Sequence, residues 1–227
     1  MPTGEPSGAA PLDLLQALVV QEVAVAPGLH HLELYTMGGL VTLLWHGERS
    51  WSRVLVTCGG AMGSVLGPAR GLYHDLGRAL ADQEIATVRV GYRQPGDFES
   101  CVLDLAGAID LAARKGGERF VVMGHSFGGA VAINVALAMP VPVVGVVTLS
   151  TQSAGCERAD ELGDRPLLLL HGDRDELLPV ATSETVRMIA GTGELVVLPG
   201  AGHLLTEAAD ELRTRLIEWI PKVLGDA

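Results

Sequence analysis

The sequence predicts one layered α/β domain, a mostly parallel twisted sheet of about eight strands with helices on both faces. Three observations carry that prediction. From residue 54 onward, short runs rich in β-branched residues alternate with helix-length stretches, the pattern of strands joined by helical crossovers. Those runs are almost wholly apolar, as in FVVM at 120–123 and PLLLL at 166–170, which fits parallel strands covered on both faces. The chain has 227 residues, enough for one large core and short for two.

Taken in order, Met1–Pro11 (MPTGEPSGAAP) lacks the basic start and apolar centre of a secretory leader. It reads as a frayed tail, and residues 1–20 are expected to form a peripheral N-terminal segment of a single domain spanning 1–227. His31–Thr36 and Leu40–Trp45 alternate polar and apolar positions and precede any helix-length spacer, so an antiparallel edge pair is expected there. The remaining strands are expected at Val54–Thr57, Ala86–Val90, Phe120–Met123, Val143–Leu149, Pro166–Leu170 and Leu195–Leu198. Helices are expected at Tyr73–Gln83, Phe98–Lys115, Ala130–Ala138, Ser183–Ala190 and Glu207–Val223. No internal repeat, low-complexity block or linker divides the chain.

Composition narrows the partners. The chain is 48% hydrophobic and 19% charged, with a formal net charge of −11. Nucleic acid and anionic membrane surfaces would repel such a surface, and no apolar run approaches the roughly 20 residues that cross a bilayer. A small molecule is the expected partner, with neither nucleic acid nor membrane. The three cysteines, Cys58, Cys101 and Cys156, have no metal-ligand or CxxC spacing, which predicts reduced thiols in a cytoplasmic protein.

The chemistry is concentrated in three loops. Gly124-His125-Ser126-Phe127-Gly128-Gly129 stands where strand composition gives way to helix composition. Ligands of open α/β sheets bind at the carboxyl ends of the strands, which is where this places Ser126. A serine on so sharp a turn takes a strained backbone, and Gly124 and Gly128 remove the side chains that would collide there. The N–H of Phe127 is left at a helix N-terminus, where negative charge is favoured. That arrangement predicts a nucleophile with half of an oxyanion hole.

A serine nucleophile needs a base, and the base needs a carboxylate. Among seven histidines, His203 in LPGAGHLL follows the last expected strand at the same sheet end as Ser126, so it is the expected base. His30, His31, His46 and His74 read as surface or packing residues. His125 is expected to point away from the serine, and His171 to close the sheet. HGDRDELLP, after the strand at 166–170, offers Asp173, Asp175 and Glu176. Asp173 suits the turn itself, and Asp175, at the loop tip, is the expected acid.

In this order, Ser126, Asp175, His203, the sequence resembles the α/β-hydrolase family, and its cap-less dienelactone-hydrolase-like esterases in particular. GHSFGG resembles that family's nucleophile elbow, HGDRDELLP its acid loop and GAGH its histidine loop. Val54–Thr57 followed by Cys58-Gly59-Gly60-Ala61 resembles its oxyanion strand and loop, with Cys58 where many relatives carry histidine. The resemblance implies a second oxyanion N–H from Gly60 or Ala61, with Gly60 favoured by position. Dienelactone hydrolases often use a cysteine nucleophile, whereas this chain has Ser126, so the resemblance does not by itself imply that particular activity. Only Thr151–Arg165 separates the strand at 143–149 from the next, too short for the cap domain common in the family.

These motifs together imply a serine hydrolase that cleaves a small carboxylic ester, thioester or lactone through an acyl-enzyme, with no metal and no cofactor. An open site walled by Met62, Tyr92, Leu177 and Leu178 is expected, and its partner is a small acyl substrate. The rival reading is a non-catalytic hydrolase-like binding or scaffold protein, because folds of this kind can be kept as shells.

Overall fold

The computed structural model describes residues 9–225. The tail expected over Met1–Pro11 therefore lies largely outside the described residues. Its end forms α1 (Pro11–Leu14), which begins on a proline and seats Leu12 and Leu15 in the core.

Three antiparallel strands follow: β1 (Ala17–Ala26), β2 (Leu29–Thr36) and β3 (Gly39–His46). Then come β4 (Arg53–Cys58), α2 (Pro68–Ala81), β5 (Ile85–Gly91), α3 (Phe98–Lys115), β6 (Arg119–His125), α4 (Phe127–Ala138), β7 (Val143–Leu149), β8 (Leu167–Gly172), α5 (Ala181–Ala190), β9 (Glu194–Leu198) and α6 (Ala209–Leu224). Two 3₁₀ turns, Ala159–Leu162 and Thr206–Ala208, sit in the loops. The strand order is β1-β2-β3-β5-β4-β6-β7-β8-β9, nine strands in one sheet. From β5 to β9 all pairs are parallel.

The sheet has two cores. Even-numbered β6 residues such as Phe120 and Val122 pack toward α1, α3, α4 and α5. Val121 and Met123 pack toward α2 and α6. Near-continuous apolar strands are the consequence, since both faces of each strand are buried. Helix α3 begins where the Asp97 side chain accepts the Ser100 N–H at 2.9 Å, an N-cap that satisfies a donor left free by the first turn. Between β7 and β8 the chain makes only a loop and one 3₁₀ turn, so no cap domain is inserted there.

One strand departs from expectation. β1 begins within the segment expected to be peripheral, at Ala17, and it, not the β2–β3 hairpin, forms the sheet's edge. Every residue of β1 is exposed, so its sequence ALVVQEVAVA has no buried face to impose the alternation by which a half-buried strand is recognised.

Candidate active site

The turn from β6 to α4 builds the site. Ser126 has φ 56° and ψ −120°, a left-handed backbone unusual for a residue with a side chain and of the kind that functional sites retain. The turn closes only because its flanks are glycines. A Cβ on Gly124 would collide with the backbone of Gly128, and a Cβ on Gly128 with the carbonyl of Gly59. Ser126 caps α4, so the Phe127 N–H belongs to the first turn, whose donors have no partner within the helix. The Phe127 ring turns into the core, edge-on to Phe98 at 5.7 Å.

The loop after β4 approaches from the other side. A Cβ on Gly60 would stand 3.6 Å from the Ser126 Cβ, so this backbone passes directly beside the serine. Two buried tyrosines brace it: Tyr73 Oη donates to the Cys58 carbonyl at 2.8 Å and Tyr92 Oη to the Gly59 carbonyl at 3.3 Å. Gly60 and Gly63 pair across the turn, with the Gly63 N–H donating to the Gly60 carbonyl at 2.9 Å. Cys58 packs beneath as a buried free thiol, its pKa pushed up to about 12, chiefly by burial, which leaves it protonated and inert.

His203 and Asp175 meet across two further loops. Asp175 Oδ2 lies 2.7 Å from His203 Nδ1, and Asp175 Oδ1 accepts the N–H groups of Leu177 at 2.9 Å and Leu178 at 2.8 Å. Burial raises the carboxyl pKa, but the Leu178 N–H, His203 and the Leu177 N–H outweigh it, and the net position is below the ordinary value. The carboxylate is thus held ionised and aimed at the ring. With Nδ1 so engaged, Nε2 is the free nitrogen of His203. Asp173 serves the turn, its Oδ1 accepting the Gly200 N–H at 2.6 Å. Glu176 Oε2 lies 3.4 Å from the His203 backbone nitrogen.

Ser126, His125, His203, Gly60, Ala61 and Met62 line one cavity of about 360 Å³, with Leu177 and Leu204 at its side. Among the described residues the Ser126 hydroxyl hydrogen-bonds to no side chain, and catalytic hydrogen bonds commonly tighten only when substrate is bound.

Of the four expected wall residues, Met62 and Leu177 stand on this cavity. Tyr92 does not: it is buried in the core with its hydroxyl on Gly59. Leu178 is likewise absent from the lining and acts through its backbone on Asp175.

His125 stands otherwise than the sequence suggests, and His171, near the end of β8, makes contacts beyond closing the sheet. His125 does not point away. As the next odd-numbered residue after Met123 it faces the α2–α6 side, where the His203 loop closes, and its ring centroid lies 4.8 Å from that of His203. Its Nε2–H donates to the His203 carbonyl at 3.0 Å. His171, fully buried, places Nε2 2.9 Å from the Leu178 carbonyl and 3.2 Å from Asp175 Oδ2, with Nδ1 2.7 Å from Ser183 Oγ. The hint of the second was the four-residue spacing in HGDRD; nothing in the sequence pointed to the first beyond strand parity.

Comparison with known proteins agrees with this fold. The family described as Phospholipase/Carboxylesterase matches residues 108–208, a segment that contains Ser126, Asp175 and His203. Among curated proteins, none matches this sequence. The dienelactone hydrolase of Anabaena variabilis superposes with a TM-score of 0.73 at 19% identity, covering 91% of this chain and 99% of its own. Est1E of Butyrivibrio proteoclasticus gives 0.71 at 15%, covering 84% and 97%. An α/β serine hydrolase homologue from Coxiella burnetii gives 0.68 at 20%, covering 83% and 95%. The strand order, the strained strand-to-helix turn and these likenesses give the chain the α/β-hydrolase fold, with no cap domain among the described residues.

Proposed function

We propose that the protein is a serine hydrolase of small carboxylic esters. The observation that carries this reading is the 2.7 Å contact of Asp175 Oδ2 with His203 Nδ1 at the edge of the cavity that holds Ser126. A carboxylate on Nδ1 fixes the tautomer that leaves Nε2 free to accept a proton, and it stabilises the imidazolium formed afterwards.

In the proposed reaction the Ser126 hydroxyl attacks the acyl carbonyl carbon while His203 Nε2 takes its proton. The tetrahedral oxyanion is received by the Phe127 N–H and by the N–H of Gly60 or Ala61. Preorganised donors of this kind contribute about 10²- to 10³-fold each in turnover. Collapse expels the alcohol, which receives the proton from His203 and leaves Ser126 acylated. Water, deprotonated by His203, then attacks the acyl carbon and restores the serine. Met62, Leu177 and Leu204 offer the acyl group an apolar rim.

Fluorophosphonate labelling tests the reading. A single adduct on the peptide that contains Ser126, absent from the Ser126→Ala protein, is the expected result. A protein that stays unlabelled would instead be a binding shell of this fold.

A further inference from the structure

Among the described residues the outer edge of β1 is unpaired. β1 is the outermost strand, and among the described residues it pairs only with β2. All ten of its residues are exposed, among them Leu18 at 66%, Val23 at 57% and Val25 at 52%. Proteins ordinarily guard such an edge with lysine, proline, an inward charge or brevity. ALVVQEVAVA has no lysine or proline, and at ten residues it is about 34 Å long at ~3.4 Å per residue; its register against β2 shifts only near the ends, between Ala17 and Val19 and between Ala24 and Ala26, which leaves the middle regular. Its one ionisable group, Glu22, is already engaged within its own chain, 2.5 Å from Arg49 and 3.0 Å from His30.

We infer that β1 is the interface of a homodimer in which two copies pair antiparallel across a two-fold axis, making one continuous sheet. Symmetry restricts the register. A two-fold between antiparallel edge strands stands perpendicular to the sheet, so facing residues lie on the same side and one residue must oppose its own copy. With Glu22 on the axis two carboxylates would face each other, which disfavours pairing. With Gln21 on the axis, two amides face each other and can exchange hydrogen bonds. Val19 then opposes Val23, within the regular stretch between the two register shifts of β1. Glu22 opposes Val20 and keeps its own Arg49. This register pairs residues 19–23 with no like charges opposed, and it makes the middle of the strand complementary to a second copy of itself. The inference rests on the fold alone and is independent of the proposed activity.

The dimer is tested by sedimentation equilibrium at micromolar protein and physiological salt, and its register by crosslinking. The expected mass is twice 23.7 kDa, and Gln21→Glu, which places two carboxylates on the axis, is expected to return it to the monomer. The native thiols Cys58, Cys101 and Cys156 are buried, so a cysteine introduced on β1 is the one thiol at the surface. Residues facing each other in an antiparallel pair have Cα atoms ~4.5–5.5 Å apart, within disulfide reach. Under a mild oxidant, Gln21→Cys is therefore expected to give a covalent dimer, and Val23→Cys, which faces Val19 of the partner, is not. A monomeric wild-type mass, an open-ended series of larger species, or equal crosslinking at both positions would overturn the proposal.

Discussion

His203 Nδ1 stands 2.7 Å from Asp175 Oδ2, and the other oxygen of that carboxylate is filled by the N–H groups of Leu177 and Leu178. Asp175 is therefore fixed at both oxygens, and only one of them faces the histidine. Asp173, two residues earlier, faces the Gly200 N–H instead.

The two aspartates should accordingly respond very differently to loss of charge. Asp175→Asn presents an amide to Nδ1, favours the wrong tautomer of His203, and is expected to lower kcat by about 10³-fold or more. Asp173→Asn keeps an acceptor for Gly200 and is expected to cost at most a few-fold. Steady-state kinetics on p-nitrophenyl acetate give the comparison; the opposite ranking would move the acid to Asp173.

A second expectation concerns the elbow. Gly124→Ala drives a Cβ into the Gly128 backbone, which has no flexible side chain to yield. The turn that projects Ser126 must then open. A lower Tm together with loss of turnover is expected, because collisions with backbone are among the few single changes that destabilise severely. Unchanged values of both would show that the turn is not as tightly closed as this packing requires.

Most of this was legible from the residue pattern. The strands from β4 onward announce themselves because burial on both faces makes them short and nearly all apolar, and α3 is legible as the helix-length stretch Phe98–Lys115 between two such runs. Ser126, Asp175 and His203 were legible because the motifs follow strands in a fixed order. β1 was not, since an exposed strand carries no alternation. Tyr92 looked like a wall residue because its loop lies at the right sheet end, but its hydroxyl turns inward to Gly59. The contacts of His125 and His171 were not legible, because their partners, His203 and the Leu178 carbonyl, arrive from loops distant in sequence or turned back by a bend.

Acid should weaken the fold through two buried histidines. Desolvation, foremost, lowers both His125 and His46 to about 4. An unfolded histidine binds its proton near pH 6.5. Between roughly pH 6.5 and 4 the unfolded chain therefore holds protons that the folded one does not, and stability falls as pH falls through that window. Urea unfolding at pH 7 and pH 5 should give a lower midpoint at pH 5, and a smaller drop in His46→Gln. Equal drops in both proteins would contradict the assignment to His46.

Substrate length follows from the rim. Met62 is 93% exposed and Leu66 58% exposed, so the loop between β4 and α2 does not fold down over Ser126. Each methylene contributes about 0.8 kcal/mol only while it leaves water, and a cavity of about 360 Å³ shelters a short acyl group. Values of kcat/KM for p-nitrophenyl esters should peak at short chains, up to about six carbons. A steady climb to ten carbons or beyond would show that the loop closes over the bound chain.

In the proposed reaction Ser126 carries the acyl group between the two halves of turnover. The direct measurement is the mass of the protein quenched with acid during turnover of p-nitrophenyl acetate, followed by peptide mapping. One acetyl group on the peptide containing Ser126, lost on further incubation and absent in Ser126→Ala, is the predicted result. Turnover without any adduct, or the same adduct and rate in Ser126→Ala, would contradict it.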